Sequence, residues 1–522
     1  MSRVLLYRWG IFPLWLLLAS TIFFRNPIPI DETRYLSVAW EMWLRNDFLV
    51  PYLNGQPYSH KPPLLFWLFQ AGWTVFGVNE WWPRLIGPIA ALVNLIMLRH
   101  LAGKLWPANR LIALKTPWIL IATLLWTLFA TSTMFDILLT CCVLLGMVGL
   151  IDASQGKTNQ GWFSFGLAIG IGLLAKGPVI FLHLIPTAGL VVLWHQPSHA
   201  KPWFFSLALA TAAGCALAFC WALPAAATGG EEYASAILWH QTADRTVGTK
   251  IHVRAFYWYL PFLPLLLFPW VTLPRFWRNL RSISSKDTGL RFSLIWLVST
   301  LAMLSLLPSK QVHYLIPCLP AFALLCSYVL AQEDRPAIVS QELAPGLWLI
   351  AIGLFLVAMP YLPGLSKMNW VKSIQAIWGL CVMLFGAMAT LATLHYRKAS
   401  AWVTSTTVIS AVFVGFLCFF HDTGLQYNLR PAAQKVAELD SQYIPLAFVG
   451  DYQGQLHFLG RLTRPIKVIN KQQTREWAQQ HPSGILISLE KAEPQQALYA
   501  QPHREYWLIF RNSEQILSKP ST

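Results

Sequence analysis

Apolar runs of roughly 17–25 residues, the length that crosses a bilayer as a helix, recur through the first four-fifths of this 522-residue chain. They lie near 9–24, 84–102, 112–131, 134–151, 162–175, 178–194, 203–227, 257–273, 292–308, 312–331, 346–362, 373–394 and 401–420, about thirteen in all. Inside lipid a segment must satisfy its own backbone hydrogen bonds, so such a series reads as an all-α polytopic membrane protein. A further run, 62–78, is Trp-rich and broken by Gly, and reads as a segment lying in the interface. Only 12% of residues are charged, about half of the roughly 25% usual in soluble domains, which excludes a soluble multidomain enzyme. With 55% hydrophobic residues the chain is also too apolar to be disordered.

The charge balance orients these spans. There are 39 Lys and Arg against 23 Asp and Glu, a net charge of +16. Nucleic-acid binding is one reading of such an excess, but short cytoplasmic loops of membrane proteins collect Lys and Arg. With the N-terminus (Arg3, Arg8) cytoplasmic, the loops with Lys104, Arg110 and Lys115, with Lys157, with Lys201, and with Arg397 and Lys398 all face the same side. So does 274–291, with Arg275, Arg278, Arg281, Lys286 and Arg291. An odd number of spans puts the C-terminus outside. The first segment has no small-residue cleavage site after it and reads as an uncleaved anchor.

The opposite side carries long loops, 25–83 and 228–256, and everything after about 421. Their charges are not required by topology: Asp31, Glu32, Arg34, Lys61, Arg245, Lys250 and Arg254, with Asp136, Lys176 and Lys310 in short turns. Each stands at the outer end of an apolar run, whereas pores and pumps place ionisable groups near the midplane. The eight cysteines all fall in the apolar spans without C-x-x-C spacing and read as packing residues. From about 421 the composition changes. Helix-like stretches (431–441, 474–480, 491–500) alternate with β-type runs (445–450, 466–469, 485–489, 506–510), which predicts a small α/β domain over 421–522 beyond a membrane domain of 1–420.

The first outer loop holds the sharpest constellation: Asp31-Glu32-Thr33-Arg34-Tyr35, then Gly55-Gln56-Pro57-Tyr58-Ser59-His60-Lys61-Pro62-Pro63. Between them 33–48 reads as an amphipathic helix with Tyr35, Ala39, Trp40 and Trp43 on one side. Taken alone, Asp31 also suits a helix cap and Lys61 a lysine reaching for the interface. Further motifs follow in order: S-T-M-F-D-I-L-L-T (132–140), L-L-A-K-G-P-V (173–179), P-S-K-Q-V-H-Y-L-I-P (308–317) and L-R-P-A-A-Q (429–434).

In this order, and over essentially the whole chain, the motifs resemble the polyprenyl-phosphate-dependent GT-C glycosyltransferases of the PMT-type superfamily, most nearly the lipid A aminoarabinose transferases. The resemblance implies an inner-membrane enzyme that takes a sugar from undecaprenyl phosphate at the periplasmic face and passes it to an envelope glycolipid such as lipid A. Because the leaving group is a lipid phosphate, the transition state needs cations on its oxygens as charge develops. Arg34, Lys61 and Lys310 are the first candidates, with Tyr314 as a neutral donor and Arg245 and Lys176 behind them. Asp31, then Asp136, are the carboxylates for acceptor activation or orientation; Glu32, Tyr35 and Tyr58 are placed around the substrate. The resemblance assigns both aspartates to the active cavity, and gives the K-P-P lysine and the D-E-x-R-Y arginine to the carrier phosphate.

One departure stands out. Relatives usually have Glu before the K-P-P lysine, as a metal ligand or site carboxylate, where this chain has His60. His60 with His240, which falls where the family has another ligand, suggests a divalent metal on one reading and interface hydrogen bonding on the other. No D-x-D occurs, so the metal–nucleotide clamp of nucleotide-sugar transferases is missing. A protein or other glycan acceptor on the same fold is the main alternative, and a lipid or sugar transporter a more distant one. Nucleic acid is not expected as a partner.

Overall fold

The computed structural model describes residues 3–196, 200–240, 253–283, 286–332 and 338–518. Among them, nine helices are long and apolar enough to cross a membrane: Val4–Phe24, Trp81–Leu105, Phe135–Ser154, Ala200–Thr228, Thr288–Leu306, Val312–Ala331, Ala344–Tyr361, Ala376–Tyr396 and the run Ala401–Ser441. The other four expected runs take forms that length and composition do not mark as spans. The run 162–175 is the helix Thr158–Lys176. The run 112–131 is two helices, Arg110–Ile121 and Leu124–Phe129, and the Leu124 N–H bonds to the Phe268 carbonyl instead of continuing the first helix. The run 178–194 breaks after Val179–Gly189, which contains Pro186. The run 257–273 carries Pro261, Pro264 and Pro269 and forms only short turns, Leu260–Phe262, Leu263–Leu266 and Trp270–Thr272, because each proline removes a backbone donor. The Trp-rich segment expected at the interface is the helix Leu64–Phe76; thirteen residues reach only about 20 Å.

Most of the apolar mass forms one core among these helices. A second cluster lies beneath the outer loops, where Tyr35, Leu36, Ala39 and Met42 of the helix Asp31–Arg45 meet Leu65, Phe66, Phe69 and Trp73 of Leu64–Phe76, together with Phe135 and Phe458. The loop helix ends at Asn46, whose left-handed backbone (φ 51°) turns the chain back. The hairpin that follows pairs Tyr52 with Pro57 around Asn54 and Gly55, both at positive φ, as a two-residue turn requires.

The carboxyl-terminal part builds a five-stranded mixed sheet in the order Lys467–Ile469, Leu446–Val449, Ile485–Glu490, Tyr506–Asn512, Tyr499–His503. The first three strands are parallel, with Phe448 between Val468 and Ile487, and the last two are antiparallel. The helices Arg430–Ser441 and Thr474–Gln480 form where expected. The helix expected over 491–500 does not. Its last residues start the strand Tyr499–His503, which turns through Arg504 (φ 56°) into its hairpin partner. Pairing with a neighbouring strand outweighs the weak helical preference of that stretch.

Candidate active site

Asp31 and Glu32 open the loop helix side by side, and the fold gives them different work. Glu32 is 2% exposed and accepts from Arg25 through both oxygens, 2.5 and 2.9 Å, from the Ile28 N–H at 2.7 Å and from the Thr133 N–H at 2.7 Å. Arg25 also donates to the Thr131 carbonyl at 2.8 Å, and Arg84 donates to the Arg25 carbonyl at 2.5 Å and to Glu80 at 2.9 Å. Glu80 in turn pairs with Arg430 at 2.5 Å. Burial alone would raise the Glu32 pKa, but the charge and hydrogen bonds of Arg25, with Arg84 behind it, hold it below the ordinary value of 4.5. Glu32, expected near substrate, therefore locks the loop helix to the turn that leads into Asp136.

Asp31 is the first helical residue, not a cap, and its side chain is 46% exposed. It pairs with Arg34 and accepts from the Tyr35 hydroxyl at 3.3 Å. Burial, reinforced by Asp31, pushes the Tyr35 pKa well up, so the phenol stays a neutral donor. Burial works against the Arg34 charge, but Tyr58, Tyr35 and Asp31 more than offset it, and Arg34 remains a firm cation. Its Nη1 donates 2.8 Å to Oε1 of Gln453, from the carboxyl-terminal domain. Tyr58 is buried beside the hairpin.

A second group gathers around Asp136. Asp136 lies in the first turn of Phe135–Ser154 and Lys176 ends Thr158–Lys176, positions that suit an acid and a base against the two helix dipoles. The two form an ion pair with side chains 2% and 6% exposed. The Lys176 ammonium stands 4.7 Å over the Tyr314 ring, and Lys61 stands 5.4 Å over the Phe135 ring. His313 packs its ring 5.9 Å from Phe129 and interacts electrostatically with Asp136, Lys176, Asp31 and Lys61. Segments distant in sequence thus bring Asp31, Lys61, Asp136, Lys176 and Tyr314 to one place, together with His313, whose only signal in the sequence is its place in P-S-K-Q-V-H-Y.

Lys310 stands differently. It donates to the carbonyls of Arg254, at 3.1 Å, and Leu307, fastening the outer segment that pairs Val253 with Ser309; among the described residues this uses two of its three N–H groups. Arg245 and the side chain of His240 fall outside the described residues. His60 is exposed, its ring 5.2 Å from that of Tyr58. Among the described residues no three His, Cys, Asp or Glu side chains group to hold a metal, so the described part of the site does not form a metal-binding set.

Beside the K-P-P turn opens an apolar cleft of about 240 Å³, walled by Pro62, Gly177, Pro178, Phe181, Phe219 and Trp221 among others. Its lining includes Pro62, which follows Lys61, and Gly177 and Pro178, which follow Lys176. Cations and carboxylates adjoining the walls of a greasy slot suit a molecule with an anionic head and a hydrocarbon tail.

A family model described as dolichyl-phosphate-mannose-protein mannosyltransferase matches residues 60–221. A curated undecaprenyl phosphate-α-4-amino-4-deoxy-L-arabinose arabinosyl transferase of Pseudomonas aeruginosa (strain UCBPP-PA14) is 30% identical over 415 residues, 74% of this chain and 72% of that one. A protein of the same name from Erwinia tasmaniensis is 28% identical over 57% of this chain and 54% of its own length. Among solved structures, ArnT from Cupriavidus metallidurans bound to undecaprenyl phosphate superposes with a TM-score of 0.75 and 18% identity, covering 99% of both chains, and its apo form with 0.77. The multi-span GT-C fold with its small sheet domain and the extended sequence match agree: the chain belongs to the family of the undecaprenyl phosphate-aminoarabinose arabinosyl transferases, membrane-embedded glycosyltransferases.

Proposed function

We propose that this enzyme transfers an aminoarabinose-type sugar from undecaprenyl phosphate to lipid A at the periplasmic face of the bacterial inner membrane, with the N-terminus cytoplasmic and the C-terminus periplasmic. The membrane domain is 1–420 and the periplasmic domain 421–522. The observation that carries the reading is the meeting of Arg34, Lys61, Asp31 and the Asp136–Lys176 pair beside an apolar cleft. The polyprenyl chain lies in that cleft and its phosphate at the rim.

In the reaction the bond between the sugar's anomeric carbon and the carrier phosphate oxygen breaks, and a new bond forms from that carbon to an acceptor oxygen. Negative charge builds on the departing phosphate. Lys61 and Arg34 offer N–H donors to it, and preorganised donors of this kind contribute most in a water-poor site. Lys176, paired with Asp136, adds positive potential without being free to leave. Asp31 stands at the exposed edge, where an acceptor enters. A lipid A phosphate is already ionised near neutral pH, so Asp31 then orients the acceptor's donor groups; a hydroxyl acceptor instead gives its proton to Asp31.

A second reading, a protein or other glycan acceptor, draws on the mannosyltransferase description of the model matching 60–221. Purified enzyme supplied with undecaprenyl-phosphate sugar and either lipid A or a hydroxyl acceptor separates the two by the mass of the product. Asp31→Asn and Lys61→Ala should each abolish transfer in that assay; full activity in both would sink the assignment.

A further inference from the structure

The loop 450–456 of the sheet domain reaches the loop helix some 420 residues earlier in sequence, and the contact ends on Arg34. Nη1 of Arg34 donates 2.8 Å to Oε1 of Gln453, while Nη2 donates to Asp31. The Gln453 Nε2 donates to both oxygens of Asp451, each at 2.6 Å. That contact fixes which way the amide points: with its nitrogen on a carboxylate, its oxygen faces the guanidinium. The loop cannot slide away. The Gln453 N–H donates to Gln455 Oε1 at 2.9 Å, Ser37 Oγ donates to the Gly454 carbonyl at 2.6 Å and receives the Phe458 N–H at 3.1 Å. Gly454 sits at φ 68°, where a Cβ would lie 2.3 Å from Leu53. On either side, Trp40 donates to the Leu462 carbonyl at 2.9 Å, and Asn54 exchanges hydrogen bonds of 2.9 and 2.8 Å with the Ile466 backbone.

We infer that Gln453 is a positioning residue of the transferase: its amide, oriented by Asp451, sets the Arg34 guanidinium toward the donor phosphate, so that the sheet domain completes the site. This rests on the proposed role of Arg34. Besides Gln453, Arg34 pairs with Asp31, a helix neighbour three residues back whose side chain is 46% exposed, and lies 5.4 Å over the Tyr35 ring. A pair that exposed holds an arginine weakly. The choice of an amide also matters. A neutral acceptor orients the guanidinium and leaves its charge for the phosphate, whereas a second carboxylate would neutralise it.

The test uses the full-length protein in nanodiscs, with undecaprenyl phosphate as the binding probe and sugar transfer as the rate. Gln453→Met keeps the volume and removes the acceptor; kcat should fall roughly ten- to a hundredfold, the scale of a misplaced catalytic group, with an unchanged melting temperature. Gln453→Glu should instead act mainly on the probe, weakening its binding severalfold. In an Arg34→Lys background Gln453→Met should change kcat less than about twofold, because the group it orients is gone. Asp451→Asn, at an exposed position, should give a smaller fall than Gln453→Met and serves if that variant cannot be purified. A Gln453→Met enzyme with native kcat and binding, or one equally impaired in both backgrounds, overturns the inference alone. Native protein that fails to retain undecaprenyl phosphate overturns the donor reading and the inference with it.

Discussion

Asp31 and Glu32 are adjacent carboxylates at the head of one helix, and exchanging each for its amide should separate stability from catalysis. Glu32→Gln keeps the shape and removes a charge that takes two N–H groups from Arg25 and one each from Ile28 and Thr133. The amide must turn its NH₂ toward one of these donors, and it leaves Arg25, itself 4% exposed, with no full counter-charge. Breaking a buried pair by removing one partner costs about 3–5 kcal/mol, and each hydrogen bond to a charged group contributes about 1.5–3 kcal/mol, so the loss should lie at or above the lower figure. Asp31→Asn, with a side chain 46% exposed, should change stability by no more than about 1 kcal/mol while abolishing transfer. The assay is thermal unfolding of both variants in one nanodisc preparation, beside transfer rate. The pH dependence adds a check. The folded-state pKa of Glu32 lies below its ordinary 4.5, so its contribution is fully present above that pH and is lost as pH falls through the lower folded value; Glu32→Gln should lack this acid-dependent part. A Glu32→Gln protein that melts with the native one, or an Asp31→Asn protein destabilised as much, would contradict this division between the two carboxylates.

Other outcomes follow from the same geometry. Asp136→Asn and Lys176→Met should each destabilise by about 3–5 kcal/mol, and the double variant by much less, because it removes both buried charges together; unfolding of the three proteins measures this. Gly454→Ala should cost about 1–3 kcal/mol through a side chain at positive φ and its overlap with Leu53, and should lower kcat by displacing Gln453. His457 and His503, buried in the sheet domain, have pKa values pushed down by burial to about 4. Because the unfolded chain binds protons there first, the domain should lose stability between about pH 6.5 and 4, and replacing both with Gln should flatten that slope in a pH series of melting curves.

Much of this was legible in the sequence because membrane burial writes long, unambiguous apolar runs. Among the described residues, nine of those runs are helical with the right length and composition; those over 112–131, 178–194 and 257–273 are interrupted where prolines or a tertiary hydrogen bond redirect the backbone. The ordered motifs announced Asp31, Arg34, Lys61, Asp136 and Lys176, and the fold gathers them. What the sequence did not announce is the division of labour. Glu32 looked like a partner of Asp31 in the site, but only three-dimensional proximity to Arg25 and Thr133 reveals it as a buried tie. Lys310 reads as a phosphate ligand, and the structure adds hydrogen bonds to two carbonyls that no sequence pattern encodes. Gln453 carries no motif, and its contact with Arg34 depends on docking between segments about 420 residues apart, which no local pattern encodes. The strand at 499–503 was missed because a hairpin partner, not its own composition, decides it.

The proposed function assigns Arg34 and Lys61, near the apolar cleft, to a polyprenyl-phosphate sugar donor. The most direct measurement supplies purified enzyme in nanodiscs with undecaprenyl-phosphate aminoarabinose and lipid A, and follows both lipids by mass spectrometry for the native chain and Lys61→Ala. The native chain should add the sugar to lipid A and release undecaprenyl phosphate, and Lys61→Ala, folded to the same melting temperature, should leave both lipids unchanged. Donor left intact by the native chain, or transfer at the native rate by Lys61→Ala, would contradict the assignment.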